Sequence, residues 1–320
     1  PPTSGFSQKR HYNKSYNSHK EEHKRREIFL DNLKTIRVHN LKYLNNFSSF
    51  KYDINEFADM TFEEFYEINT SKGPTEDYDR EFLNIKIKKV DFNVQRDKTP
   101  AAFDWRDRGG FVTSVKNQAF CGSCYAFAVL GAFESFIFNK TGKSVDLSEQ
   151  EIIDCGRGYY TAGCNGGSDM GVLSYIKAKG IGYESDYPYK AKRDSCKTNE
   201  TIYDRVNVTF NKIITNDPGG NENALMQQLL THGPVITAID HLHESFMRYK
   251  SGIYYETDCN DSKRYTSHSV LLVGYGSENG VDYWTIKNSF GKEWGESGYF
   301  RIARNRNNHC MIASESYSLT

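Results

Sequence analysis

The N-terminal third of the chain combines apolar residues at helical spacing with many charged ones. Residues 18–44 contain no Gly or Pro, and apolar side chains recur there near the helical period, at Phe29, Leu33, Ile36 and Leu44. Thr61 followed by Glu64 is a capping-box pattern that predicts a second, short helix. A breaker cluster at 69–74 ends that helix. The polar stretch 75–98 is predicted to be an extended connector.

After Pro100 the pattern changes from helices to strands along the chain. Helical spacing covers the segments 123–139, 148–154, 169–180 and 221–232. Apolar runs separated by glycines predict strands over 269–275, 283–287 and 299–303. Helices first and antiparallel strands later indicate an α+β unit. We therefore predict two structural units that meet near Pro100.

Charge and hydropathy exclude several classes of protein. The chain has 320 residues, 41 Lys plus Arg and 41 Asp plus Glu, giving a formal net charge of +0. A dedicated nucleic-acid binder is normally basic or carries a basic stripe. The mean hydropathy is −0.70, and the longest apolar run, 124–133, falls far short of the ~20 residues that a bilayer span needs. We expect a soluble globular protein with neither a nucleic acid nor a membrane as its partner.

The cysteine count is odd, and all cysteines lie in the last two thirds of the chain: Cys121, Cys124, Cys155, Cys164, Cys196, Cys259 and Cys310. Six of them can form three disulfides, in many possible pairings, and leave one free thiol. Several Asn-x-Ser/Thr sequons accompany them: Asn13, Asn46, Asn69, Asn139, Asn199, Asn207 and Asn260. Together they favour an oxidising, secretory compartment and a glycoprotein. The alternative is a cytosolic protein with seven reduced thiols and chance sequons.

The most specific local motif surrounds one of these thiols. Cys124 opens an apolar helical stretch, and a helix N-terminus stabilises a thiolate through its partial positive charge. A lowered thiol pKa is what a cysteine nucleophile needs. The C-x-x-C spacing of Cys121 and Cys124 also fits a zinc half-site or a redox pair. However, zinc needs a second such pair and a redox motif needs a thioredoxin-like βαβ context, and the sequence shows neither.

A cysteine nucleophile needs a base, and the base needs an orienting group. His268 stands at the mouth of an apolar strand, where an imidazole can face a cleft. Asn288 can accept a hydrogen bond from one ring N–H and fix the tautomer. The other histidines of this region are open to a different interpretation, as solvated surface groups: His232, His241, His243 and His309.

Both parts of the chain carry the motifs of a known family. Residues 121–125 fit the pattern C-G-[SA]-C-[WY], with His268 and Asn288 well downstream, at 268 − 124 = 144 and 288 − 124 = 164 positions. The N-terminal region matches an interspersed E-R-F-N-I-N motif and most of a G-N-F-D motif, whose glycine position is Asp53: Glu21, Arg25, Phe29, Asn32, Ile36, Asn40, Asn55, Phe57 and Asp59. The chain resembles a proenzyme of the papain family of cysteine proteases, most like the cathepsin L branch, over nearly its whole length.

The resemblance implies a papain-like α+β fold of two lobes, one helical and one an antiparallel β-barrel-like sheet, with a cleft between them. A mainly helical inhibitory propeptide at 1–98 would precede a catalytic domain at 99–320, with cleavage just before Thr99. The chain would be a monomer, with no cofactor and no metal.

The resemblance also assigns the reacting groups. Cys124 would be the nucleophile, His268 the base and Asn288 its orienter. Gln118, with the backbone N–H of Cys124, would form the oxyanion hole, whose donors can be worth ~3 kcal/mol or more each. The family's disulfide pattern pairs Cys121 with Cys164, Cys155 with Cys196, and Cys259 with Cys310, which leaves Cys124 free.

Substrate binding is implied at two places. Gly166 and Gly167 resemble the strand that hydrogen-bonds the substrate backbone, since glycine lets an extended peptide approach closely. The pocket for the substrate residue two before the scissile bond would be lined by Asp169, Met170, Ala238, Ser269 and Glu315. Its two carboxylates predict that a basic residue is accepted as well as an apolar one. Alternatively, both carboxylates turn outward to solvent.

Some positions depart from the family pattern. Tyr125 and Phe290 stand where most members have Trp, and Ala119 stands where glycine is usual. Trp294 is retained and is expected to flank the leaving-group side of the cleft. These departures bear on the rate and on the shape of the cleft, but none removes a reacting atom.

The predicted function is that of a cysteine endopeptidase zymogen acting on proteins and peptides. The stretch 75–98 would block the cleft in the direction opposite to substrate. Acid would weaken the propeptide if Asp59, Glu63 and Glu64 pair with basic groups. The alternatives are a catalytically impaired member that serves as a binding or structural protein, and an inhibitor related to the propeptide alone. A lysosome-like compartment or secretion, including a digestive lumen, is expected.

Overall fold

The computed structural model describes residues 9, 11–12, 14–69, 87–89, 99–197, 212–215, 221–260 and 266–320. Its helices are α1 His19–Leu44, α2 Phe62–Asn69, α3 Cys124–Thr141, α4 Glu149–Cys155, α5 Asp169–Lys179, α6 Glu222–His232 and α7 Glu244–Met247. Its strands are β1 Phe50–Tyr52, β2 Ile87–Lys89, β3 Phe103–Asp104, β4 Lys212–Thr215, β5 Val235–Ile239, β6 Tyr249–Tyr254, β7 His268–Glu278, β8 Val281–Lys287, β9 Tyr299–Ala303 and β10 Ser316–Leu319. Most of the predicted connector 75–98, the sequons at Asn13, Asn199 and Asn207, and the side chain of Asn260 lie outside the described residues.

The six predicted helices, α1 to α6, are confirmed, and their caps explain their bounds. The Ser18 hydroxyl accepts a hydrogen bond from the Glu21 N–H at the start of α1. Before α2, Thr61 Oγ1 accepts from the Glu64 N–H at 3.2 Å, and the Glu64 carboxylate accepts from the Thr61 N–H at 3.0 Å. These are the reciprocal bonds of a capping box. Gly142, at φ 68°, ends α3 in the left-handed conformation. None of the helices in the ranges above is both long and apolar enough to cross a bilayer.

The strands form one mixed sheet in the order β1-β6-β9-β8-β7-β5-β10-β4-β2, with β3 beside β7. The predicted antiparallel arrangement is found for β7 with β8 and for β8 with β9. Two further pairs, β6 with β9 and β2 with β4, are parallel. Sequence patterns predicted β7, β8 and β9. They missed β5 because all five of its residues are buried, so it shows no alternation of apolar and polar positions.

Two hydrophobic cores define two lobes. One surrounds α3, and the other fills the space beneath the sheet. Strand β7 serves both, because successive side chains of a strand point to opposite faces. Val270 and Leu272 belong to the sheet core, whereas Leu271 and Val273 belong to the core around α3. Cys124, the first residue of α3, and His268, the first residue of β7, therefore approach the boundary between the lobes.

The N-terminal region packs on the sheet core rather than forming an independent unit. Its apolar anchors are members of that core: Phe29, Ile36, Phe57 and Phe65. Strand β1 pairs antiparallel with β6, and at the other end of the sheet β2 pairs with β4. Both strands contributed by the region before Thr99 therefore continue the sheet of the second domain.

Three disulfides join Cys121 to Cys164, Cys155 to Cys196, and Cys259 to Cys310. This is the pairing that the resemblance implies, and it leaves Cys124 as the one free cysteine among the seven, all of which are described. The bridged cysteines are 43, 41 and 51 residues apart. A disulfide that closes a loop of this length contributes roughly 2–4 kcal/mol to the free energy of unfolding.

Candidate active site

The free thiol and the predicted base line one cleft between the lobes. Cys124 enters from the N-terminus of α3, and His268 enters from the start of β7. Other residues that line the cleft come from both lobes and from the end of α2: Asn69, Gln118, Gly122, Tyr125, Gly166, Gly167, Ser168, Asp169, Ala238, Thr266, Ser267, Ser269, Glu315 and Tyr317. A cleft in which a thiol meets an imidazole can support nucleophilic catalysis.

The Cys124 thiol does not have the lowered pKa that its place on the helix predicts. Burial raises its pKa to about 12, and the Asp169 carboxylate adds to the rise. Backbone N–H groups of Ser269, Tyr125 and Cys124 itself act in the opposite direction, toward the thiolate. At this site desolvation therefore outweighs the helix N-terminus in its effect on the thiol pKa.

His268 is buried and oriented by an amide. Its Nε2–H donates to Asn288 Oδ1 over 2.8 Å, which fixes the tautomer and leaves Nδ1 as the second ring nitrogen. Asn288 is held in turn, since its Oδ1 also accepts from the Ser289 N–H at 2.8 Å. Phe290 stacks on the imidazole at 5.0 Å between centroids, so a phenyl ring packs on the face of His268. Burial lowers the pKa of His268 to about 4, against the opposing bond to Asn288.

Gln118 is fixed from both ends of its side-chain amide. Its Nε2 donates to the Cys121 carbonyl at 3.0 Å, and its Oε1 accepts from the Ser289 hydroxyl at 2.5 Å. The next residue, Ala119, has φ 50°, in the left-handed region that favours glycine. This explains why glycine is usual there. The rigid amide retains one N–H and is a preorganised hydrogen-bond donor at the cleft.

The two glycines of the predicted substrate strand are required by their surroundings. Gly166 has φ 103°, which side chains rarely adopt. A Cβ on Gly167 would lie 2.7 Å from the Tyr125 ring. Tyr125 itself is fully buried, and its hydroxyl donates to the Gly163 carbonyl at 3.0 Å. The tyrosine therefore fits where the family usually has Trp, and it packs beneath the strand of Gly166 and Gly167.

The predicted pocket contains four of the five residues assigned to it. Asp169, Ala238, Ser269 and Glu315 line the cleft, together with Ser168 and Tyr317. Met170 does not line it. It packs against the core around α3, because consecutive helical residues are rotated by about 100°, so Met170 faces a different direction from Asp169.

Trp294 also lies elsewhere than predicted. It is 1% exposed and packs between Phe246, at 5.0 Å, and Phe290, at 5.5 Å, inside the sheet core. Among the described residues it is not part of the cleft lining. Its contact with the catalytic region is through Phe290.

The interpretation of three histidines as surface groups is wrong. His241 and His309 are 0% exposed, and His243 is 6% exposed. The His241 ring stacks on His268 with 4.5 Å between centroids. Sequence reasoning missed this neighbour because the contact is tertiary. The one available signal was that His241 follows the apolar run of β5.

The motif residues of the N-terminal region form a connected set of contacts. Arg25 bonds Glu21 at 2.7 Å and Glu64 at 2.5 Å, which ties α1 to α2. Asp59 pairs with the Lys14 ammonium at 3.1 Å, whereas Glu63 is exposed. Two of the three carboxylates expected to pair with basic groups therefore do so.

Two buried asparagines connect the N-terminal region to the second domain. Asn32 Nδ2 donates to the carbonyls of Ala58 and Met60, both at 2.9 Å. Its Oδ1 accepts from Arg248 Nη2 at 2.6 Å. Asn55 Nδ2 donates to the Met247 carbonyl at 2.8 Å. The same end of the second domain's sheet is thus held by strand pairing with β1 and by polar side chains.

Comparison with known proteins decides the family. The profile described as papain family cysteine protease matches residues 99–320, and that of the cathepsin propeptide inhibitor domain matches residues 9–65. The chain belongs to the papain family of cysteine proteases. It is a cathepsin L-like proenzyme, in which a propeptide inhibitor domain precedes a cysteine endopeptidase domain.

Relatives of this proenzyme extend over almost all of it. It is 41% identical to digestive cysteine proteinase 2 of Homarus americanus, over 96% of this chain and 92% of that protein. It is 41% identical to cathepsin L2 of Homo sapiens, over 92% and 85% of the two chains. Among solved structures, digestive procathepsin L 3 from the larval midgut of Tenebrio molitor matches with a TM-score of 0.84 and 37% identity, covering 99% and 97% of the two chains. The papain-like fold is confirmed.

Proposed function

We propose that Cys124, His268, Asn288 and Gln118 carry out peptide-bond hydrolysis in this proenzyme once its propeptide has left. The observation that carries the proposal is the bond between His268 Nε2 and Asn288 Oδ1, 2.8 Å long, in the cleft that also holds the free cysteine. The bond presents the other ring nitrogen for proton exchange with the thiol.

The proposed reaction passes through a thioester. The Cys124 thiolate attacks the scissile carbonyl carbon, and the oxyanion accepts hydrogen bonds from Gln118 Nε2 and the Cys124 backbone N–H. The His268 imidazolium gives its proton to the leaving nitrogen, and the C–N bond breaks. Water then attacks the thioester and gives a proton to His268. Release of the carboxylic acid restores the Cys124 thiolate and the imidazolium.

We assign the propeptide to 1–98 and the catalytic domain to 99–320.

The closed zymogen supports a mechanism for acid activation. His268 binds a proton poorly in the zymogen, where burial lowers its pKa to about 4 from an ordinary 6.5. A histidine whose pKa is lower in the closed state than in the open state favours the closed state fully above pH 6.5. This contribution is lost as the pH falls towards 4. Acid therefore favours the open state, in which His268 is hydrated.

The pocket supports a dual specificity. Asp169 and Glu315 both line it, beside the small residues Ala238 and Ser269. Asp169 is 8% exposed, so the option in which both carboxylates turn to solvent fits only Glu315, which is exposed. We propose that a substrate residue of either Lys/Arg or apolar type is accepted two before the scissile bond. A peptide panel in which Lys and Arg are never cleaved at that position would refute this.

Location and assembly are proposed from the relatives and the fold. Relatives named as digestive proteinases and as cathepsin L support a lysosomal or secreted enzyme. Three disulfides agree with an oxidising compartment. We propose a monomer, with proteins and peptides as substrates and the propeptide as intramolecular inhibitor.

Self-activation tests the proposed function. The purified chain is incubated at about pH 4–5 with a mild reductant, beside a Cys124→Ser variant, while intact mass and peptide cleavage are followed. We expect loss of the first 98 residues and the appearance of peptidase activity, both absent in the variant. No activity even after an added protease has removed the propeptide would favour a binding or structural role instead.

A further inference from the structure

A second imidazole lies against the catalytic one. The His241 ring stacks on His268 at 4.5 Å between centroids, with 30° between the ring planes. Phe290 stacks on His268 at 5.0 Å with the same interplanar angle. Asn288 fixes one edge of the imidazole through Nε2. The ring of His241 thus holds the catalytic base together with Phe290, Asn288 and the ring of Phe246, whose centroid lies 6.4 Å from that of His268.

The surroundings of His241 keep it neutral. It is 0% exposed, and its edge contacts are the aromatic rings of Phe246, at 5.8 Å, and of Phe65 from the propeptide, at 6.0 Å. Its Nδ1 contacts the Ser267 hydroxyl at 2.8 Å, while its Nε2 is buried without a hydrogen-bond partner among the described residues. Burial, His268 and His243 together lower its pKa well below 6.5.

The other titratable groups near the pair do not alter this assignment. His243 is bonded to the Asp240 carboxylate at 3.1 Å, so any charge on it is compensated. The Cys124 thiol and the Asp169 and Glu315 carboxylates line the same cleft, but the groups that shift the pKa of His241 are His268 and His243, together with burial. Phe65, Phe246 and Phe290 do not titrate.

A neutral aromatic ring stacked on an imidazole has a specific effect. The face of such a ring attracts a cation, whereas a second positive charge at this distance would repel it. Hydrolysis requires His268 to carry a proton while the thiolate attacks. We propose that His241 is a positioning residue whose ring supports His268 in this protonated form. This inference rests on the proposed function of His268.

Two shape-matched variants isolate the ring. His241→Leu and His241→Phe both lose the bond to Ser267, and both place an apolar side chain of similar size at this position. Only the Phe variant presents a ring face to His268. The assay is the alkaline limb of kcat/KM in the acid-processed enzyme, which reports loss of the proton from His268. We expect the limb to fall by about half a pH unit in the Leu variant. It should stay within about 0.2 unit of the parent in the Phe variant. His232→Ala, which removes an imidazole away from the cleft, is the matched control.

A second readout separates this inference from the function itself. Alkylation of Cys124 by iodoacetate needs no peptide hydrolysis, and its rate falls when the anionic reagent loses the attraction of the imidazolium. The same half-unit difference should appear between the Leu and Phe variants. If the Leu variant does not fold, His241→Gln replaces it with the same expectation. Identical alkaline limbs for the ring-bearing and ringless variants would overturn the inference. Absence of hydrolysis with a normal alkylation profile would instead count against the proposed function.

Discussion

The buried bond between Asn32 of the propeptide and Arg248 of the enzyme should control how often the zymogen opens. Arg248 is 6% exposed, and its Nη2 donates to Asn32 Oδ1 at 2.6 Å. A hydrogen bond from a charged donor contributes about 2 kcal/mol when its loss leaves a buried group unsatisfied. If that energy is lost only in the closed state, the open population rises about 30-fold.

The assay uses the intact zymogen at neutral pH. Cys124 is half-exposed in the cleft, so the assay uses a peptide-sized thiol reagent that must occupy the substrate cleft, and its modification rate reports the open population. Arg248→Met should raise this rate about 30-fold. Asn32→Leu should raise it further, because the carbonyls of Ala58 and Met60 also lose their donor. Asn45→Ala, at the exposed end of α1, should leave it unchanged.

The double variant decides whether the two residues act through one bond. Residues that share a bond give a double effect smaller than the product of the single effects. Modification rates that multiply fully would refute the coupling between Asn32 and Arg248. A change below threefold in each single variant would refute the claim that this bond holds the propeptide.

Further predictions concern the acid response, the substrate strand and the pocket. Burial raises the pKa of Glu64, but the hydrogen bonds from Arg25 outweigh this effect and lower it. The contribution of Glu64 to the stability of the propeptide is therefore present above pH 4.5 and is lost as the pH falls below that value. Glu64→Gln should therefore speed processing above pH 5 and flatten its rise below pH 4.5, measured as processing rate against pH; an unchanged profile would contradict this. Gly167→Ala places a Cβ 2.7 Å from the Tyr125 ring. The clash should displace the substrate strand and lower kcat/KM at least about tenfold; an unchanged kcat/KM would show that the ring moves aside. In a peptide panel, Glu315→Gln should lower kcat/KM about fivefold for substrates with Arg two before the scissile bond, but not for those with Leu there. Equal losses for both substrates would show that the carboxylate does not recognise the charge of that residue.

Local chemistry made the helices and the reacting residues predictable. The capping box of Thr61 and Glu64 forms as the sequence indicates, because its bonds join residues three apart. The thiol motif around Cys124 is equally local. Strand β5 escaped prediction because both of its faces are buried, which removes the alternation that marks a strand.

Tertiary packing accounts for what the sequence could not supply. A helix N-terminus predicts a lowered thiol pKa, yet burial raises that of Cys124. Ser168 lines the pocket and Met170 does not, because the position at which α5 begins sets which residues face the cleft. His241 lies far from His268 in sequence, and only the pairing of β5 with β7, which places Ile239 opposite His268, brings the two rings together.

The most direct test of the account is stoichiometric modification of the activated enzyme. The acid-processed chain is titrated with iodoacetamide while residual peptidase activity is measured, and the alkylated residue is located by peptide mass. We predict that activity falls in proportion to the fraction of Cys124 alkylated, and that His268→Ala abolishes activity. Activity that persists with Cys124 fully alkylated would contradict the assignment of this thiol as the nucleophile.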